Sequence, residues 1–346
     1  MDVRFFNPGK WFLKHEGEMM DEIGRVLAAG DLILRKDLEV FEANFAEYIG
    51  KKHCIGVNSG TDALYLSLWA LGIGPGDEVI VPSHTFVASV QVINQLGATP
   101  ILVDCGDNLL MESTISFSRN TKAIIPVHLT GDVVRMSDDF VQICKDKGIH
   151  IIEDAAQALG ARGLGYGFTQ CWSFYPAKIL GAYGDAGAIT TDDDKLADEL
   201  RQLRHHWKRD YSEWGVNSRL DNLQAAVLNV KMKYLAESLI SRASIAERYK
   251  EGLADLPLRL PQYSEGRVWQ DYVVRAANEN ERDALYNYLK NAGIETMLNE
   301  YPMPVPKLSN SSQIEHETLR IPCNDVLESD EVEYIIKTIR AFYETA

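Results

Sequence analysis

Lys178 stands in the segment FYPAKILGAYG with scarcely another charge around it. An amine set among apolar and small residues is easily stripped of water, which lowers its pKa and leaves it nucleophilic. Upstream, the apolar run at 149–152 reads as a buried parallel strand, and two acids, Glu153 and Asp154, follow it at once. Open α/β sheets bind ligands at the carboxyl ends of their strands, so an acid placed there is a candidate for touching one. A lysine that can form a Schiff base and a carboxylate that can keep a pyridine nitrogen protonated are the two groups a pyridoxal phosphate enzyme requires. Each has a blander explanation when taken alone. Acids that end strands commonly cap helices or pair with cations, and a lysine in an apolar segment commonly reaches out to solvent.

Other residues bear on the same chemistry. A short apolar strand at 54–57 runs into Asn58-Ser59-Gly60-Thr61-Asp62, after which Ala63, Leu64, Leu68 and Leu71 follow helical spacing. Free N–H groups and the helix dipole make such a junction a cradle for phosphate, although a plain N-cap at Ser59 or Thr61 explains the same residues. Phe86, just beyond the strand at 79–81, is either core or a ring that can stack on a flat ligand. His84 and His128 also lie just past strands, where a histidine is as readily a hydrogen-bonded loop residue as a catalyst. The glycines at 72–76 follow a helix rather than a strand and do not form a dinucleotide fingerprint. Asp192, Asp193 and Asp194 suit the start of a helix, and the adjacent pair His205-His206 cannot turn both rings to one metal from a helix, so no metal is expected. Five scattered cysteines without a C-x-x-C read as reduced thiols of a cytoplasmic protein.

The scaffold that must carry these groups is legible in outline. Apolar spacing predicts helices over 16–29 and 38–49. Short strands at 54–57, 79–81, 101–103, 123–127 and 149–152 alternate with helical stretches, the rhythm of a mainly parallel sheet covered on both faces. Beyond residue 191 the pattern turns helical, to about 234 and again to 253. A Pro- and Gly-rich connection at 257–267 precedes a strand at 272–274 and helices at 281–291 and 329–343, a small α+β lobe. The chain of 346 residues therefore divides into a ligand-binding domain over 1–240 and a smaller one over 241–346. A net charge of −15 with no basic block argues against nucleic acid. The N-terminus lacks the apolar core of a signal peptide, and no 18-residue apolar run suggests a membrane span.

Six ordered stretches, NSGTDAL (58–64), GIGPGDEVIVPSHTF (72–86), TKAIIPVHLTG (121–131), IIEDAAQALGA (151–161), SFYPAKILGAYGDAGAITT (173–191) and NSRLDNLQAA (217–226), together resemble the DegT/DnrJ/EryC1/StrS family of sugar aminotransferases. That resemblance covers nearly the whole chain. It implies the aspartate-aminotransferase-like (fold type I) architecture, with a mainly parallel seven-stranded sheet, and pyridoxal or pyridoxamine phosphate as cofactor. By the same resemblance Lys178 forms the Schiff base and shuttles the proton, while Asp154 pairs with the pyridinium nitrogen. Gln157, on the same helical face as Asp154, reaches the ring hydroxyl, and Phe86 stacks on the ring. Gly60, Thr61, Asp62 and Ser173 hold the phosphate. Asn217 comes from a neighbouring subunit, which implies a homodimer with shared active sites.

The lysine loop, SFYP-x-K followed by GDxGAI, resembles members that aminate C3 of nucleotide-linked keto sugars; C4 members more often carry TGEGG after the lysine. Tyr175, Tyr183 and Asp185, with His84 and His128, are the implied substrate contacts. Arg35-Lys36 and Trp207 stand where glycine is common in the family, near the expected substrate mouth. The expected function is transfer of an amino group from L-glutamate to C3 of a nucleotide-diphosphate keto sugar, with C4 as the alternative, in amino-sugar biosynthesis such as that of lipopolysaccharide. A sugar dehydratase of this fold has histidine in place of the lysine, and a non-catalytic homologue has no need of an intact Asp154, Gln157, Ser173 and Lys178 set.

Overall fold

The structure is a computed structural model, and it describes residues 1–112 and 115–345. Seven strands, β1 (His53–Val57), β2 (Glu78–Pro82), β3 (Thr99–Val103), β4 (Thr121–Ile124), β5 (His150–Asp154), β6 (Thr169–Ser173) and β7 (Gly187–Thr191), form one sheet in the order β1-β7-β6-β5-β4-β2-β3. Pairing is parallel from β3 through β6, whereas β7 runs antiparallel to both of its neighbours. All strands but β7 therefore end at one edge, where connecting loops can meet over a ligand. The residues that fill this sheet are β-branched and apolar: Val79, Ile80, Val81, Ile124, Ile151, Ile152 and Ile189 are all buried. Burial on both faces explains why they read as continuous runs rather than alternation.

β6 and β7 are the strands that periodicity does not announce. Thr169–Ser173 mixes polar with apolar residues, and Gly187–Thr191 is small and polar, yet both are almost wholly buried. A chain of side-chain hydrogen bonds links the two: Trp172 Nε1 donates to Thr190 Oγ1 at 2.9 Å, and that hydroxyl donates to Gln170 Oε1 at 3.0 Å. β5 also extends two residues further than the apolar run. The Asp154 amide donates to Pro126 O and its carbonyl accepts from His128 N, so strand geometry persists through both acids. Alternation along the strand then turns Glu153 and Asp154 to opposite faces. No helix follows; residues 155–161 form successive turns, closed by Ala158 N to Ala155 O and Ala161 N to Ala158 O. The helical face expected to join Asp154 and Gln157 is thus replaced by a turn, which Gly160, at φ +89°, helps to close.

A second, antiparallel sheet comprises β8 (Tyr272–Arg275), β9 (Met297–Leu298) and β10 (Thr318–Ile321) in the order β8-β10-β9. Its own core includes Tyr249, Leu285, Leu289, Ile335 and Ile339 from the flanking helices. Val3 belongs to this core too and pairs with Ile294, so the first residues of the chain pack with the last hundred. Helix Lys36–Ile49 lays Phe41 and Phe45 edge-on against Phe174, with ring centres 5.3 and 5.1 Å apart. Such aromatic pairs are worth about 0.5–1.5 kcal/mol each beyond their buried area. They fasten the root of the loop that carries Lys178. No helix among the described residues is long and apolar enough to cross a membrane.

Candidate active site

A cavity of about 630 Å³ lies where the parallel edge of the large sheet faces the second sheet, and Thr61, Phe86, Asp154, Gln157, Lys178 and Arg320 are among its lining residues. Lys178 rises from a turn in which its own amide donates to Tyr175 O at 2.8 Å. Gln270, next to β8, straddles the lysine: its Oε1 accepts from Ile179 N at 3.1 Å and its Nε2 donates to Ala177 O at 3.0 Å. Lys231 fastens the far side of the loop through Gly181 O at 2.6 Å. The loop is held at both ends of a short span, so the amine has a defined station. Burial lowers the Lys178 pKa, while the carboxylates of Asp271 and Asp154 pull it the other way. The net shift is downward, so this amine gives up its proton more readily than a solvated lysine.

Asp154 reaches the same cavity from the end of β5. Burial raises its pKa, and the Ser89 hydroxyl, the Ala156 amide and the charge of Lys178 oppose the rise. Ser89 Oγ donates to Oδ2 at 2.8 Å and Ala156 N donates to Oδ1 at 3.2 Å, which fixes the plane of the carboxylate. On the opposite face Glu153 accepts from Gly165 N at 3.0 Å and Gly167 N at 3.1 Å, and lies 3.2 Å from His128 Nε2. His128 Nδ1 accepts from Val134 N, so the ring proton resides on Nε2. His128 is thereby a buried residue whose two ring nitrogens are taken by Glu153 and Val134.

Gln157 Oε1 accepts from Thr130 N at 2.7 Å. Because an amide N–H can only donate, this contact decides which end of the side chain is oxygen and leaves the Nε2 hydrogens for the cavity. At the other end, helix Gly60–Ala70 starts behind Ser59, whose hydroxyl accepts from Asp62 N at 3.1 Å. The plain cap and the cradle are both present. Ser59 satisfies the Asp62 amide, while the amides of Gly60 and Thr61 occupy first-turn positions that have no intrahelical partner. Close packing shapes this cradle: a Cβ on Gly60 would lie 2.8 Å from Ser173 Cβ, and one on Gly187 would lie 2.3 Å from the Ser59 carbonyl carbon. A phosphate at the amides, an aromatic nitrogen at Asp154 and a ring oxygen at Gln157 are what this donor and acceptor set suits, and Lys178 supplies the amine an aldehyde needs. The residues present fit pyridoxal phosphate.

Of the residues expected at the site, Gly60, Thr61, Phe86, Asp154, Gln157, Ser173, Tyr175, Lys178 and Asp185 line the cavity, and His128 touches its wall. Phe86, 57 % exposed, caps helix Val87–Gln95 at the cavity side and is not core. Asp62 does not line the cavity, since its amide belongs to Ser59 and its carboxylate accepts from the Ser218 hydroxyl at 2.6 Å. His84 is buried behind Tyr301, with ring centres 5.1 Å apart, and burial brings its pKa down to about 3. Tyr183 packs against Phe12 and under the Lys231 ammonium, outside the cavity. Asn217 is exposed and pairs with His205, away from the cavity of its own chain. The sequence reading missed Ser89, Gln270, Asp271, Tyr301 and Arg320. Ser89 sits at helical spacing among apolar residues, and the other four come from the second lobe, with no motif to mark them.

The DegT/DnrJ/EryC1/StrS aminotransferase family model matches residues 14–340. A Streptomyces venezuelae protein named dTDP-3-amino-3,4,6-trideoxy-alpha-D-glucose transaminase is 40% identical over 93% of this chain and 91% of its own length. A Pseudomonas aeruginosa protein named UDP-2-acetamido-2-deoxy-3-oxo-D-glucuronate aminotransferase is 39% identical over 88% of this chain and 86% of its own. The crystal structure of ntda from Bacillus subtilis, with bound cofactor PMP, superposes with a TM-score of 0.91 at 29% identity, covering 99% of this chain and 85% of that one.

Proposed function

Since the chain belongs to the DegT/DnrJ/EryC1/StrS aminotransferase family and is a pyridoxal-phosphate-dependent aminotransferase, we propose that it transfers the amino group of L-glutamate to C3 of a nucleotide-diphosphate-linked keto sugar. The observation that carries this reading is the convergence of Lys178, Asp154, Gln157 and the Gly60–Thr61 amides on one cavity. The C3 assignment is supported by the lysine-loop sequence and by two relatives whose names place the amine or ketone at C3.

Each group has a physical role in this reading. The first-turn amides of Gly60 and Thr61, with the Ser173 hydroxyl, bind phosphate. Asp154 holds a proton on the pyridine nitrogen, and Ser89 keeps its carboxylate turned to that task. Gln157 donates to the ring hydroxyl, and Phe86 covers the ring face. When bound, pyridoxal phosphate supplies an aldehyde that condenses with amines and a ring that accepts the electron pair released beside it. With the cofactor bound, Lys178 Nζ would take the proton from the donor α-carbon and hold it for return, and would run the transfer in reverse when the keto sugar arrives. Tyr175 and Asp185, which line the cavity, are assigned to the sugar. Asn217 and Tyr183, remote from their own cavity, are assigned to the site of a second subunit in a homodimer.

The test is a panel of nucleotide-linked 3-keto and 4-keto sugars with L-glutamate, followed by NMR location of the new amine. Amination at C3 is expected. An enzyme that aminates keto acids and none of these sugars refutes the substrate assignment, and a 4-amino product refutes the position.

A further inference from the structure

Thr130 is fully buried and stands at φ +59°, a left-handed backbone that β-branched residues rarely adopt. Its amide is the group that donates to Gln157 Oε1 at 2.7 Å, so this unusual backbone decides which way the Gln157 amide faces. The turn is held by one stretch, residues 264–271, which leads from the connection between the lobes into β8. Arg267 Nη2 donates to Thr130 Oγ1 at 2.9 Å, Val268 N to Gly131 O at 3.0 Å, and the Ser264 hydroxyl to Asp132 Oδ1 at 2.5 Å. The approach is so close that a Cβ on Gly131 would lie 2.1 Å from Val268 O. The same stretch reaches the other support of Gln157, where Gly266 O accepts from Arg162 N at 2.9 Å just past the 155–161 turns. It also carries Gln270, the clamp on the lysine loop.

Arg267 has a side chain only 4 % exposed, and its guanidinium carbon lies over the Trp269 ring, 4.4 Å from the centre. Its Nη1 donates to Gln262 O at 3.0 Å. Pairing with Asp132 does not account for its place. Nη1 stands 3.6 Å from Asp132 Oδ2, and that carboxylate already accepts from the Ser264 hydroxyl and the Val133 amide. A planar guanidinium seated on a ring and tied to a carbonyl has little freedom, so the N–H aimed at Thr130 is fixed in direction. We infer that Arg267 is a positioning residue for the cofactor ring. By gripping the Thr130 hydroxyl it holds the turn in its left-handed form, and the Thr130 amide thereby keeps the Nε2 hydrogens of Gln157 turned into the cavity. Without the grip Thr130 relaxes toward an ordinary backbone, its amide swings away, and Gln157 loses the contact that orients it.

The inference rests on Gln157 meeting the ring hydroxyl, and the test separates the two. The holoenzyme is titrated with pH and the change in its cofactor absorbance band gives a midpoint. A donor at the ring oxygen draws off negative charge that otherwise helps to hold a proton on the nearby nitrogen, so losing the donor raises that midpoint. Gln157→Leu is expected to raise it by about one pH unit, the size of a hydrogen bond to a charged acceptor. Arg267→Met, which keeps an apolar contact with Trp269, is expected to raise it comparably and to add nothing in the Gln157→Leu background. Thr130→Val removes only the gripped hydroxyl and should give the same rise; it serves equally if Arg267→Met does not fold. Thr130→Gly/Arg267→Met should return to the parent midpoint, because glycine takes the left-handed backbone without a grip. A general loss of stability would not be repaired in this way. An unmoved midpoint in Arg267→Met or Thr130→Val, or a rise that Thr130→Gly does not reverse, overturns the inference. An unmoved midpoint in Gln157→Leu instead refutes the ring-hydroxyl role of Gln157, and the purpose assigned to Arg267 falls with it.

Discussion

Gly187→Ala tests whether packing between β7 and the start of helix Gly60–Ala70 shapes the phosphate cradle. The added Cβ would stand 2.3 Å from the Ser59 carbonyl carbon, 2.5 Å from its oxygen and 2.7 Å from Gly60 N. Ordinary carbon contacts begin at about 3.5 Å, so the overlap is about 1.2 Å. Neither side yields easily. Gly187 is paired to Val57 on one flank and to Ser173 on the other, and Ser59 anchors the helix. Overpacking of this kind costs about 1–3 kcal/mol of stability. Relief must displace the Gly60 and Thr61 amides by something near 1 Å, and misplacement on that scale costs on the order of 100-fold at a site that depends on orientation. Equilibrium binding of pyridoxal phosphate to apo-protein should therefore weaken sharply, while binding of pyridoxal, which has no phosphate, should change little. Thermal unfolding of the apo-protein reports the stability cost separately. Wild-type affinity for pyridoxal phosphate, or an equal loss for both compounds, would refute the steric reasoning.

Ser89→Ala removes a donor to the Asp154 carboxylate. A hydrogen bond to a charged acceptor is worth about 1.5 kcal/mol, or about one pKa unit. The loss raises the already elevated Asp154 pKa further, so the carboxylate stays protonated to higher pH. The acid limb of the rate profile should then move up by about one pH unit; an unmoved limb would count against Ser89 as its support. Lys178→Ala should keep pyridoxal phosphate in the cradle without a covalent link and lose transamination, and borohydride should fix cofactor to Lys178 alone in the parent protein; peptide mapping to another lysine refutes the assignment. Asn217→Ala should weaken phosphate binding in the assembled dimer by roughly 10-fold, a typical lost hydrogen bond, and full activity from a monomer would rule out a shared site.

What the sequence by itself determined is the local part of this protein. Strand runs at β2 and β5, the Ser59 junction and the isolated lysine are contiguous signals, and a contiguous signal survives without knowledge of what packs on it. Even the two acids were visible, though which one enters the cavity was settled by strand alternation carried to the last residue of β5. The tertiary structure decided what depends on distant segments. It made Gln270 the clamp on the lysine loop from 92 residues further along the chain, placed Ser89 behind Asp154, withdrew His84 and Tyr183 from the cavity, and set Arg320 beside Asp271 within it. None of these pairings leaves a periodic trace, because a side chain that serves a remote partner need obey only the geometry of that one contact, and burial of a polar residue is affordable only after its partner has arrived.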